Sequence, residues 1–410
     1  VRRADETVEL LDNPVRAYAW GSRTVIADLL GHEVPSPHPQ AELWFGAHPG
    51  DPSRLVHADG SHTSLLDALR SDPERLLGVD RRGHWDSTLP FLLKVLAADE
   101  PLSLQAHPSI EQARTGFARE EAAGLSPDAA DRNYRDPNHK PELICALTDF
   151  HALVGFREPA VTVRLLRELE VPELAGHAEL LAAQPDHDGL RALFTTWITL
   201  PQSMLDTLVP ALQEGCVRLA GSGGEFHVEA RTVLELSERY PGDAGVLAAL
   251  LLNRVTLQPG EALYLPAGNL HAYLSGAGIE LMANSDNVLR GGLTPKHVDV
   301  PELLRVLDFT AGPPPVLTGS PDGGWIRYDT PAKEFLLRRW AGGPTGPVKV
   351  PDGGPRILLC TSGSACVRAP GEELEISRGG SLWMAAAETG VSVIPMAEDT
   401  QLFLAGDGLG

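Results

Sequence analysis

The sequence predicts a mainly β protein in which a block of helices interrupts one β domain and a second β domain follows. Three observations point there. The chain has 410 residues, too many for one ordinary core. Residues 159–240 carry apolar side chains at i, i+3, i+4 and i+7, while the segments on either side alternate over short runs bounded by glycine and proline. The stretch "PPPVLTGSPDGG" (313–324) has linker composition and precedes a tail of strand-and-turn texture.

The elements follow in order. Residues 1–60 are rich in turn residues with short apolar runs, and "ELWFGAHPGDPS" (42–53) reads as a strand entering a turn. "SLLDALRSDPERLLG" (64–78) has helical spacing. "LPFLLKVLAADEPLSLQAHPS" (89–109) reads as two strands joined at Asp99-Glu100-Pro101, and residues 110–124 as a helix. Residues 132–156 begin as a loop and become strand. After the helices of 159–240, the apolar run from Val246 returns the chain to β texture. We therefore expect a discontinuous catalytic β domain from 1–158 and 241–310, a helical insertion at 159–240, a linker at 311–324 and a separate β domain at 325–410.

The totals exclude several classes of function. The net charge is −21, so a nucleic-acid partner is not expected. No apolar run approaches the roughly 20 residues of a membrane span. No signal-peptide pattern is seen, and four scattered cysteines without CxxC spacing fit a reducing cytoplasm. Only five of the 34 basic residues are lysines: Lys94, Lys140, Lys296, Lys333 and Lys349. Three of them fall inside the motifs that carry chemistry.

In "SLQAHPS" (103–109), Gln105 and His107 sit two apart and on a strand would share one face. Further on, "PGEALYLPAGNLHAY" holds the pattern G-x5-P-x-G-x2-H from Gly260 to His271. It resembles the second metal-side hairpin of a cupin, a small β-barrel of the jelly-roll kind. Gln105-Ala106-His107 stands where that fold usually has His-x-His. "NHKPELICAL" adds a carboxylate, Glu142, at the start of a strand. Gln105, His107, Glu142 and His271 make an N/O set suited to zinc, with water completing an open shell.

The match extends to "YAWGS" (18–22), "AELWFGAHPGDPS" (41–53), "NYRDPNHKPEL" (133–143), residues 240–276 and "IELMANSDNVLRGGLTPKHVD" (279–299), all in family order. Over roughly its first three quarters the chain resembles the type I mannose-6-phosphate isomerases (phosphomannose isomerases). That resemblance implies interconversion of mannose 6-phosphate and fructose 6-phosphate through a cis-enediolate, with one zinc per chain. It places the zinc ligands on Gln105, His107, Glu142 and His271 and the active-site arginine on Arg290. Ser103, Lys140, Glu280 and Lys296 fall on the substrate side, and Trp20, Lys94 and His139 more loosely so. Lys140, Glu280, Lys296 and His139 are all eligible as the base. The C-terminal part shares only the cupin texture and lacks histidines, which suggests a metal-free structural copy.

The chemistry asks for these residue types. An enediolate needs positive charge beside O1 and O2, a base at C2, and cations at the far end for the phosphate. An iron oxygenase on the same frame, or a sugar-phosphate sensor without turnover, are the rival readings. A guanylyltransferase partner activity is not expected, because no Gly-rich nucleotide loop is found. The expected protein is a cytoplasmic monomer or weak homo-oligomer that acts on a small sugar phosphate.

Overall fold

The computed structural model describes residues 8–57, 59–342 and 346–409. The protein is mainly β, with sheets of nine, eleven and four strands. Among the described residues every ladder between these strands is antiparallel, as hairpin connections permit.

Strand alternation builds the site. In Phe91–Ala98, Leu92, Lys94 and Leu96 face a cavity, while Phe91, Leu93, Val95 and Ala97 lie in an apolar core on the other side. Neighbouring strands in register repeat the division. Glu42 and Trp44 face the cavity from Glu42–Phe45, and Glu280 and Met282 face it from His271–Ala283. Their alternates Leu43, Phe45, Ile279 and Leu281 join the core. This core also contains Phe335, Leu337, Ile357, Trp383 and Phe403, so the nine-stranded sheet backs this wall.

A second wall stands opposite. The strand His271–Ala283 changes partners along its length, and its register slips between Tyr273 and Ser275. Gly276 follows at φ 116°, with a would-be Cβ 2.5 Å from the Asp149 carbonyl oxygen, so the corner needs glycine. Before the corner the strand pairs with Phe150–Phe156 and, through His271, with Leu104–Ala106. Leu104, Ala106, Leu270 and Leu289 turn away from the cavity into a core shared with the helices. Those helices are Pro159–Glu168, Pro172–Ala183, His187–Ile198, Gln202–Ser222 and His227–Arg239, in the expected block. The helical block is thus the buttress of the second wall.

Three features differ from the sequence reading. The helical spacing of 64–78 resolves into two helices, Leu65–Ser71 and Pro73–Leu77, because Pro73 cannot donate to a continuing helix and Asp72 caps the new one. The 313–324 stretch contains short strands, one of which pairs with Ala262–Leu265. Val8–Asp12 and Arg54–Val56, placed by sequence in the first domain, belong to the nine-stranded sheet with the C-terminal strands. Their alternating apolar residues are completed by that sheet.

The loop leading to Lys140 and Glu142 is moored by Tyr134, whose ring is buried and whose hydroxyl donates to Glu302 at 2.7 Å. The ring lies against Gly116 on the helix Ile110–Ala122, where any Cβ would overlap it. We expect Gly116→Val to destabilise the protein by about 1–3 kcal/mol, the usual cost of overpacking. The check is a lower urea midpoint at unchanged m-value.

Candidate metal centre

Glu142 opens the strand Glu142–Ala146, and His271 opens its own strand directly opposite Gln105. His107 follows the Leu104–Ala106 strand. These origins bring His107 Nε2 to 3.3 Å from one Glu142 oxygen and His271 Nε2 to 3.4 Å from the other. All three residues are at least nine-tenths buried.

Each imidazole is turned by a backbone carbonyl. His107 Nδ1 lies 2.8 Å from the Asn287 oxygen, and His271 Nδ1 lies 3.0 Å from the Asn269 oxygen. A carbonyl only accepts, so in the neutral rings both Nδ1 atoms carry the proton and donate. Both Nε2 atoms then present lone pairs to a carboxylate. His107 Nε2 is buried and has no hydrogen-bond partner. Burial pushes the His107 imidazole below its ordinary value despite Glu142 beside it. Burial alone would raise the Glu142 carboxyl, but His107 and Lys140 hold it well below the usual carboxylate range. Lone pairs from neutral imidazoles and an ionised carboxylate, each ring fixed from behind, are a donor set for a divalent cation. His107, Glu142 and His271 meet the spacing a metal requires. Gln105 joins them at the cavity wall, its amide nitrogen donating to Ser103 Oγ at 3.1 Å.

The cavity measures about 540 Å³. Trp20, Lys94, Ser103, Gln105, Lys140, Glu142, His271, Glu280, Arg290 and Lys296, all singled out in the sequence, line it. His107 stands against Glu142 behind the lining. His139 is not brought to the cavity: its Nε2 lies 2.6 Å from Glu334, toward the C-terminal part. Adjacent residues of an extended segment point opposite ways, so His139 turns outward where Lys140 turns in.

The cavity walls are charged in two distinct ways. At the floor Lys94 bonds Glu280 at 2.9 Å, approaches Glu42 at 3.5 Å and lies over the Trp44 ring. Burial would neutralise Lys94, but the two carboxylates keep it an ammonium. Burial conversely raises the Glu280 carboxyl against the pull of Lys94. Lys140 Nζ is 3.4 Å from Glu142. Across the cavity, Arg290 is the strand partner of Gln105. Among the described residues neither Arg290 nor Lys296 has a carboxylate within ion-pair distance. Burial lowers the pKa of both, and Arg135 adds repulsion. Two uncompensated cations beside a cavity in so acidic a chain are a place for an anion.

Sequence reasoning missed Glu42, Trp44, His48, Tyr273 and Asp286, which also line the cavity. His48 accepts from the Gly50 N–H at Nδ1, so its Nε2 donates to Asp286 at 3.2 Å and helps hold that carboxyl low. Burial, with Glu280 nearby, keeps the Tyr273 phenol protonated. Period-two alternation from Lys94 and His271 would have flagged Glu42, Trp44 and Tyr273 once the register was known. His48 and Asp286 lie in loops and carried no such signal.

Comparisons with known proteins agree with this geometry. The family model "phosphomannose isomerase type I, catalytic domain" matches residues 8–159. Mannose-6-phosphate isomerase of Escherichia coli (strain K12) is 41% identical over 392 residues, covering 94% of this chain and 97% of that protein. The Rattus norvegicus mannose-6-phosphate isomerase is 32% identical over 421 residues, covering 95% and 96%. A zinc-bound crystal structure of mannose 6-phosphate isomerase superposes with a TM-score of 0.89 at 36% identity, covering 98% of this chain and all of that one.

His107→Ala and His271→Ala should each lose tightly held metal, measured by atomic absorption after desalting. Gln105→Ala should retain more, because a neutral amide contributes less than an imidazole whose tautomer is fixed.

Proposed function

The chain belongs to the type I phosphomannose isomerase family, and on that premise we propose how its own residues interconvert mannose 6-phosphate and fructose 6-phosphate. The observation that carries the proposal is the cavity itself. Two imidazole lone pairs and a carboxylate converge on one wall, and two unpaired cations stand beside it.

Zinc suits the donor set, and Gln105, His107, Glu142 and His271 would hold it. Bound there, it would supply Lewis-acid polarisation to sugar oxygens. The remaining work falls to the chain. Lys296 receives the phosphate and so fixes the distance of the sugar from Gln105. Trp20, half-buried and stacked on Tyr18, forms an apolar side wall for the sugar, and Ser103 orients the Gln105 amide. The open-chain aldehyde then places C1 and C2 between Arg290 and the floor.

We assign the base to Glu280. Its carboxyl is raised by burial, which suits a group that must accept a proton and return it. It takes the C2 proton, the electron pair moves to form the C1–C2 double bond, and O1 takes up the negative charge. A second proton passes from O2 to O1, and the proton held by Glu280 returns to C1 as the carbonyl forms at O2. Lys94 stays protonated and anchors Glu280. Lys140 and the planar Arg290 fork stabilise the two oxygens of the enediolate. His139 has no part in this scheme.

The same reading extends to architecture. We take the two walls joined at the Gly276 corner as the cupin-type catalytic barrel, with 159–240 as an insertion and the C-terminal strands as a metal-free second cupin-like unit. No described helix is long and apolar enough to cross a membrane. Free cysteines and the acidic balance support a cytoplasmic enzyme, a monomer or weak homo-oligomer, with no nucleic-acid partner.

Arg290→Lys keeps the charge but loses the fork, so kcat should fall by on the order of 10²-fold while KM changes little. Steady-state kinetics decide: a raised KM at normal kcat would make Arg290 a phosphate anchor only. Turnover in deuterated water should place solvent deuterium at C1 of the product, read by mass spectrometry. Full retention of the C2 hydrogen after long equilibration would contradict the enediolate route.

A further inference from the structure

Beside the cavity mouth, three backbone N–H groups converge on one carboxylate. Asp243 Oδ1 accepts from Gly245 at 2.7 Å and Leu293 at 2.9 Å, and Oδ2 accepts from Thr294 at 3.1 Å. Asp243 lies in "YPGDAG" (240–245), just past the last helix of the helical block. It is not among the residues that line the cavity.

The turn it grips is strained. Leu293 is buried and has φ 55°, a left-handed conformation that costs a non-glycine residue free energy. Gly292 before it has φ 120°. A Cβ on Gly292 would come within 2.7 Å of Gly245 Cα, and one on Gly245 within 2.6 Å of the Leu293 nitrogen. The two backbones therefore touch, and glycine is required on both sides. The ladder with Leu104–Ala106 also slips between Arg290 and Gly292, a bulge that swings the chain out of the sheet.

Two cations flank this turn, Arg290 before it and Lys296 after it. The Lys296 N–H is held in turn by Thr294 Oγ1 at 3.1 Å. Their mutual repulsion favours separation. Without a restraint, the strain at Leu293 and the repulsion would both relax by moving Lys296 away from Arg290.

We propose that Asp243 is a positioning residue: it clamps the strained 292–294 turn so that Lys296 stays beside Arg290 to receive the substrate phosphate. This rests on the assignment of the phosphate to that end of the cavity. The two carboxylate oxygens are needed because they accept three N–H groups. An asparagine offers one oxygen and turns its own donor toward the Thr294 or Leu293 N–H.

The test is a double-mutant cycle on metal-loaded enzyme, with Asp243→Asn, Lys296→Ala and the combination, assayed with mannose 6-phosphate. Asp243→Asn is expected to raise KM by about three- to tenfold with kcat within about twofold, the scale of one lost hydrogen-bond acceptor. The combination should be no worse than Lys296→Ala alone, because the clamp acts through that lysine. Asp243→Ser, a shorter acceptor, is the second variant if the amide does not yield folded protein, and it should raise KM in the same way. Additive KM effects, or a kcat loss at unchanged KM, overturn the clamp. A raised KM in Lys296→Ala with an unaltered Asp243→Asn overturns the clamp and leaves the phosphate assignment standing. An unaltered KM in Lys296→Ala removes the phosphate assignment and the clamp with it.

Discussion

Lone pairs of two imidazoles and a carboxylate cannot share a dry space unless a cation joins them. That constraint organises the molecule. His107 and His271 are each fixed from behind by a main-chain carbonyl, so neither ring can escape by rotating. Glu142 is held ionised by the positive charge around it. The wall strands are backed by apolar cores on their far faces, one against the nine-stranded sheet and one against the helices. The hydrophobic effect in those cores offsets the cost of holding like-natured donors together.

The floor shows how a buried lysine is kept charged. Lys94 sits in "FLLKVLA", where its immediate neighbours Leu93 and Val95 turn away into the apolar core. Glu280 lies directly opposite Lys94 on one neighbouring strand, and Glu42 lies diagonally on the other, opposite Leu96. The ammonium has three donors and finds acceptors in both directions. A guanidinium in the same slot would be larger and planar, and the Trp44 ring beneath it leaves room for a compact charge. The rarity of lysine in the chain is consistent with such sites being specific in their demand.

Much of this was legible from residue order, because the metal frame is local. Gln105 and His107 are two apart, and His271 stands in a turn-bounded hairpin whose glycines and proline fix its geometry. The helical block was legible from its period. The rest depends on register, which a one-residue slip would invert. Glu42, Trp44 and Tyr273 declare themselves only when their neighbours across the sheet are known. His139 looked eligible beside Lys140, yet it faces Glu334, because consecutive extended residues diverge. The sharing of one sheet by both ends of the chain was not legible at all. Pairing between residue 8 and residue 384 leaves no trace in either segment's pattern.

That shared sheet has a consequence for synthesis. Val8–Asp12 sits between Arg54–Val56 and Ser381–Met384. The strand Gln401–Gly406, translated long after Val8–Asp12, sits between Leu336–Ala341 and Arg356–Ser362. While the ribosome is still extending the chain, the N-terminal strand has one partner and one bare edge. The wall that carries Lys94 and Glu280 meanwhile lacks the apolar layer that backs it. Contacts of such sequence separation close late and slowly. The cavity walls are therefore made long before they can be backed, and the nascent chain must keep an unpaired edge from other chains until Ser381–Met384 arrives.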